Sequence, residues 1–180
     1  MKKILLLIFV SFIVVSLPAQ ILVPVDAASS VKFTIKNFGL KVDGSMKGLQ
    51  GKIIFNPAVL ATASFSVSVD AATINTNNGT RDNHLKKEEY FDVAKYPRLQ
   101  FISTKIAATN NPAIFKMEGN ITIKGITKLV SFPFSVVEKP DGKIFLGEFT
   151  INRRDFTVGG SSLVLSDNLI VSLSVFAKNN

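Results

Sequence analysis

The densest cluster of chemically different side chains is Arg81-Asp82-Asn83-His84, and His84 is the only histidine in the 180-residue chain. An arginine can form paired hydrogen bonds to a phosphate-type group and a histidine can add one more, so Arg81 and His84 suit the polar end of an anionic ligand. A structural reading competes, in which Arg81 and Asp82 join an ion-pair network with Arg153, Arg154 or Asp155 and pin a helical insertion to the rest of the fold. A third reading makes Asp82 and His84 the acid and base of a lipid- or ester-directed enzyme. The sequence carries none of the usual signatures for it: no Gly-x-Ser-x-Gly elbow, no His-Glu-x-x-His helix and no Walker loop. Ser161 and Ser162 follow Gly159-Gly160, but Leu163 stands where an elbow built on Ser161 needs its second glycine, so they read as loop. With no cysteine and one histidine, thiolate and multi-histidine metal sites are excluded, and Asp82, Glu88, Glu89 and Asp92 would have to supply nearly every ligand of any other. No catalytic residue, metal or cofactor is assigned.

The elements that position this cluster are strands. Apolar residues recur at every second position, as in Val31, Phe33, Ile35 and in Phe65, Val67, Val69, which is the period of a strand with one buried face. Candidate strands run 31–37, 51–56, 63–69, 99–106, 114–124, 129–137, 144–152 and 169–176, eight in all. Pro140-Asp141-Gly142 predicts a hairpin through residues that tolerate positive φ, and Lys124-Gly125 predicts a turn between two further strands. Gly44, Gly48 and Gly51 predict bends or bulges. The stretch 79–92 breaks the alternation and is rich in helix formers, with Thr80 as the expected cap of a short helix through Glu89. A second helical turn is expected within 153–167. Eight strands with few long apolar segments favour closure, because a closed sheet has no exposed edges.

Met1-Lys2-Lys3, the apolar run Ile4–Leu17 and Pro18-Ala19-Gln20 form the charged, apolar and small-residue parts of a secretory signal. The run is shorter than the roughly 20 residues that cross a bilayer core. Residues 1–19 are therefore expected to be removed, leaving one domain over 20–180 in the periplasm or outside the cell. Loss of Lys2 and Lys3 takes the formal charge from +8 to +6. The remaining lysines are scattered through strand-like segments with no arginine cluster interleaved with aromatics, so no nucleic-acid partner is expected.

The chain has 15 phenylalanines, two tyrosines and no tryptophan. An eight-stranded barrel is just wide enough to be filled by such side chains or to hold one small ligand. Phe33, Phe65, Phe101, Phe132 and Phe134 are the candidate apolar contacts.

Three stretches taken together resemble the YceI-like family, secreted lipocalin-like proteins associated with polyisoprenoid binding. They are Arg81-Asp82-Asn83-His84-Leu85 with Tyr90-Phe91-Asp92-Val93-Ala94-Lys95-Tyr96-Pro97 and Phe101, then 119–128, then Ile151-Asn152-Arg153-Arg154-Asp155-Phe156. A weaker match runs from Val25 to Gly51. The resemblance implies an all-β fold, an eight-stranded antiparallel lipocalin-like barrel with short helical insertions. It also implies non-enzymatic binding or transport of a polyisoprenoid or similar long-chain amphiphilic lipid. Arg81, Asp82 and His84 would then meet the ligand's head at the mouth. Ala28 and Asn37 stand where the family often has histidines, and Thr157 where a glycine is expected, which bears on head preference. Relatives imply homodimerisation as an option. The remaining alternative is an interaction module with a filled barrel whose outer surface docks a protein such as a membrane redox partner.

Overall fold

The computed structural model describes residues 20–180; the expected signal segment, residues 1–19, lies outside the described residues. The strands are β1 (Ile21–Pro24), β2 (Ser30–Asn37), β3 (Leu40–Ile54), β4 (Ser64–Asn75), β5 (Arg98–Ala108), β6 (Ile114–Ile123), β7 (Ile126–Lys139), β8 (Gly142–Asn152) and β9 (Leu165–Asn179), with one helix, α1 (Gly79–Leu85), between β4 and β5. Pairing runs β3-β2-β9-β8-β7-β6-β5-β4 and returns from β4 to β3, always antiparallel, so eight strands close a barrel. The expected fold class holds. β1 is a short ninth strand laid between β3 and β9 at one end, where Leu22 opposes Ile53 and Asn179 and is fully buried.

Inward residues alternate with outward ones along each strand, as period two requires. Two hairpins turn on two residues, Phe38-Gly39 between β2 and β3 and Lys124-Gly125 between β6 and β7, and all four have positive φ. The Pro140-Asp141 hairpin between β7 and β8 forms as expected, but none of Pro140, Asp141 and Gly142 has positive φ.

Several expectations need correction. β3 begins at Leu40, eleven residues before the expected strand start at Gly51. Gly48 (φ 70°) falls where the register against β4 shifts, yet the strand continues through it, while Gly51 (φ 140°) pairs in regular register with Val67 and Gly44 pairs regularly with Phe33, so neither is a bulge. The helix is shorter than expected and ends at Leu85; its cap is Asn78, whose side chain accepts from Arg81 N at 3.0 Å, rather than Thr80. The expected turn in the last long loop is a 3-10 turn at Arg153–Phe156.

These connections sort the barrel's ends. The β2–β3 and β6–β7 turns, the 76–97 segment carrying α1 and the 153–164 segment all lie at one end, the one that carries the Arg81 cluster. The other end holds β1, the β3–β4 connection and the chain's last residues.

Candidate functional site

Phenylalanines stop the barrel at the end away from Arg81. Phe55, Phe65, Phe115, Phe134 and Phe145 meet there mostly edge to face, with Phe65–Phe145 at 5.0 Å and Phe55–Phe115 at 5.2 Å between centroids. This is the favourable geometry for rings whose edges and faces carry opposite partial charge. Phe55, Phe65, Phe134 and Phe145 are buried and belong to the main core.

Above this floor the barrel encloses a cavity of about 1170 Å³. Its walls are made largely of inward apolar side chains, among them Leu49, Ile121, Leu169 and Val171. Part of the space comes from glycines on inward strand positions. Gly44 faces Phe33 across the β2–β3 ladder, and a Cβ there would collide with the Phe33 ring. Gly119 on β6 receives the Phe101 ring of β5 in the same way, and a Cβ at Gly147 on β8 would lie 3.1 Å from the ring of Phe132 on β7. Each ring thus lies along the wall over a glycine instead of crossing the lumen. Phe132 also stacks on Phe149 at 4.5 Å and 19°, beside the point where β7–β8 pairing stops at Phe134–Gly147.

The mouth is polar. Asn37, Thr76, Asn78, Arg81, His84 and Lys87 line it from one side, Gly160, Ser161 and Ser162 from another. Arg81 donates from Nε to Thr76 Oγ1 at 2.7 Å and from Nη2 to the Thr76 carbonyl at 2.8 Å. Among the described residues it forms no ion pair. His84 stands edge-on to Tyr90 with centroids 4.9 Å apart. Among the described residues no aspartate or glutamate lines the cavity, whereas Arg81 and Lys87 do and form no ion pair, so the field at the opening favours a negative head.

Arg153 is 4% exposed and its guanidinium is fully occupied. It donates to the carbonyls of Ser166 (3.0 Å), Val158 (3.0 Å), Gly160 (2.9 Å) and, at 3.5 Å, Leu165, and pairs with Asp167 at 2.7 Å. One buried fork therefore holds the whole 157–167 segment in shape. Gly159 N donates to Glu89 O at 2.8 Å, tying that segment to the one after α1.

Of the residues singled out in the sequence, Arg81 and His84 stand at the mouth, and Phe33, Phe101 and Phe132 form wall. Phe65 and Phe134 form the floor. Asp82 does not line the cavity: its carboxylate accepts from Thr76 N at 2.9 Å and Thr76 Oγ1 at 2.6 Å. The expected ion pairs with Arg153, Arg154 or Asp155 do not form; Arg81 and Asp82 instead grip Thr76 between them, and Arg153 takes Asp167. The substituted positions fall apart in space. Asn37 lies at the mouth, while Ala28 is exposed in a turn before β2, outside the cavity lining. Thr157 has φ 52°, the left-handed conformation a glycine would take without strain. Sequence reasoning missed Lys87, Tyr90 and the Gly44, Gly119 and Gly147 recesses. The pairing of an inward glycine with an inward phenylalanine on the next strand was the available signal, once β3 is given its full length.

Comparison with known proteins agrees with this architecture. A UPF0312 protein of Pseudomonas savastanoi pv. phaseolicola is 31% identical over 137 residues, 72% of this chain and 71% of that one. The crystal structure of a Campylobacter jejuni YCEI protein superposes with a TM-score of 0.70 at 26% identity, covering 100% of this chain and 99% of that one. A polyisoprenoid binding domain from Saccharophagus degradans, implicated in plant cell wall breakdown, shares the fold with a TM-score of 0.71 at 13% identity over 90% of this chain and 99% of that one. The model of the YceI-like domain matches residues 24–177, and the chain belongs to that family.

Proposed function

We propose that this protein binds a polyisoprenoid or similar long-chain amphiphilic lipid, tail in the barrel and head at the Arg81–His84 mouth, as a non-enzymatic carrier in the periplasm or outside the cell. The observation that carries the proposal is the cavity itself: about 1170 Å³, apolar along its walls, floored by phenylalanine and polar at the opening. It exceeds the roughly 300–1,000 Å³ of pockets for drug-sized ligands, and its one polar end suits a molecule with one polar end. Burying each methylene contributes about 0.8 kcal/mol, so ten carbons supply roughly 8 kcal/mol before the cost of ordering the chain. Affinity can thus come from the tail and selectivity from the head. A fold neighbour described as polyisoprenoid binding supports the ligand class.

Native mass spectrometry of the processed protein, followed by organic extraction, tests the proposal. A stoichiometric long-chain species is expected. Protein that carries none and takes up none on titration with isoprenoid alcohols, quinones and long-chain acids would overturn it.

A further inference from the structure

The mouth is rimmed by large apolar side chains that are mostly exposed. Phe38 is 74% exposed, Leu40 73% and Leu163 fully exposed. They belong to two different segments brought to one place, since Phe38 N donates to Val164 O at 2.9 Å. Asn37 and Val164, the immediate neighbours of Phe38 and Leu163, line the cavity. The apolar rim therefore borders the opening.

The β2–β3 hairpin is not built from the residues its geometry favours. Phe38 occupies the first central position of a two-residue hairpin turn with φ 49°, where asparagine, aspartate or glycine is preferred and a bulky side chain is strained. Lys36 and Lys41 sit directly opposite each other one step below the turn, a like-charge pair that weakens a hairpin. Neither lysine, nor Arg81, Lys86 or Lys87, forms an ion pair among the described residues. Three carboxylates at this end are hydrogen-bonded: Asp43 accepts from Thr34, Asp82 from Thr76 and Asp167 from Arg153. Glu88 and Glu89 follow α1 as exposed residues, set against Lys86 and Lys87 next to them in the chain.

We infer that this rim docks on an anionic bilayer surface, with Phe38, Leu40 and Leu163 entering the interface and Lys36 and Lys41 facing the headgroups. Apolar tips flanked by cations match such a surface in both polarity and charge. Docked in this way, the mouth faces the membrane and a tail can pass between bilayer and cavity without crossing water. The docking surface goes beyond the cavity reading and can fail on its own, because uptake of extracted lipid needs no membrane contact.

The absence of tryptophan provides a clean probe. Phe38→Trp, Leu163→Trp and, at the opposite end, Val59→Trp are each mixed with vesicles of phosphatidylcholine alone or with phosphatidylglycerol. A blue shift is expected for residues 38 and 163 with the anionic vesicles and none for residue 59. Lys36→Gln with Lys41→Gln should lower vesicle partition about thirtyfold, and raised salt should weaken it too. Equal shifts at all three positions, or sedimentation of none of the proteins with anionic vesicles, would overturn the inference. Loss of vesicle binding with retained uptake of solubilised lipid would sink the docking surface and leave the cavity's function standing.

Discussion

Two arginines of the mouth have opposite tasks, and substitution should separate them. Arg153 is buried and supplies a planar fork to four carbonyls and Asp167. A lysine keeps the charge but cannot reach that many acceptors at once. Arg153→Lys should therefore cost about 2–3 kcal/mol, since buried carbonyls lose their donors, with faster amide exchange across 157–167. Chemical denaturation and hydrogen exchange check both. The Arg81 side chain hydrogen-bonds the protein only at Thr76, and it forms no ion pair among the described residues. Arg81→Gln should lower affinity for a long-chain acid about tenfold, the value of one charge-assisted bond, while an alcohol of the same chain length binds unchanged. Equal loss for both ligands would make Arg81 a scaffold residue. The sequence made Arg81 and His84 legible as a cluster because they are close in the chain. It hid the true partners of Arg153 because those carbonyls belong to a loop whose path only the closed barrel defines.

At the level of elements, alternation was legible wherever a strand had apolar residues to alternate, which is why β2 and β5 to β9 were placed within about four residues at each end, while β4 starts as expected but runs six residues past Val69. The first half of β3 was not legible. Its inward positions include Gly44, and its outward ones Asp43 and Lys47, so the apolar period lapses just where the wall is thinned to receive Phe33. A glycine that serves a ring on the next strand looks, in one dimension, like a glycine that serves a bend. The β2–β3 hairpin yields a prediction of its own. Phe38→Asn puts a favoured residue at φ 49° and exposes less apolar surface, so it should raise stability by about 0.5–1 kcal/mol, read as a higher urea midpoint. The same variant should bind anionic vesicles less well. A stability gain joined to a loss of docking is the signature expected of strain kept for function. A fall in stability would mean that the Phe38 ring packs more than its 74% exposure implies.

For the whole molecule, the floor and the walls lead to different expectations for occupied and unoccupied protein. Floor phenylalanines pack on one another and need no ligand, so delipidated protein should remain folded. The wall residues gain contacts only when a tail is present, and a ligand that binds the native state alone adds about 2.7 kcal/mol at a hundredfold excess over its Kd. At roughly 2–4 °C per kcal/mol for a domain of this size, loading should raise Tm by about 5–10 °C. Val171 faces the lumen between Phe33 of β2 and Phe149 of β8, which places it midway along the cavity. Val171→Phe introduces a ring at that depth while leaving the Arg81 mouth and the phenylalanine floor untouched. Such a ring fills space that a tail would otherwise take, so the variant should lose most of the Tm rise with long-chain ligands and keep it with chains short enough to stop above residue 171. Calorimetric scans of delipidated wild type and variant across an alkyl-chain series decide the matter. If the long-chain shift survives in Val171→Phe, the tail does not run down the barrel axis past Val171, and binding must be assigned to the rim instead.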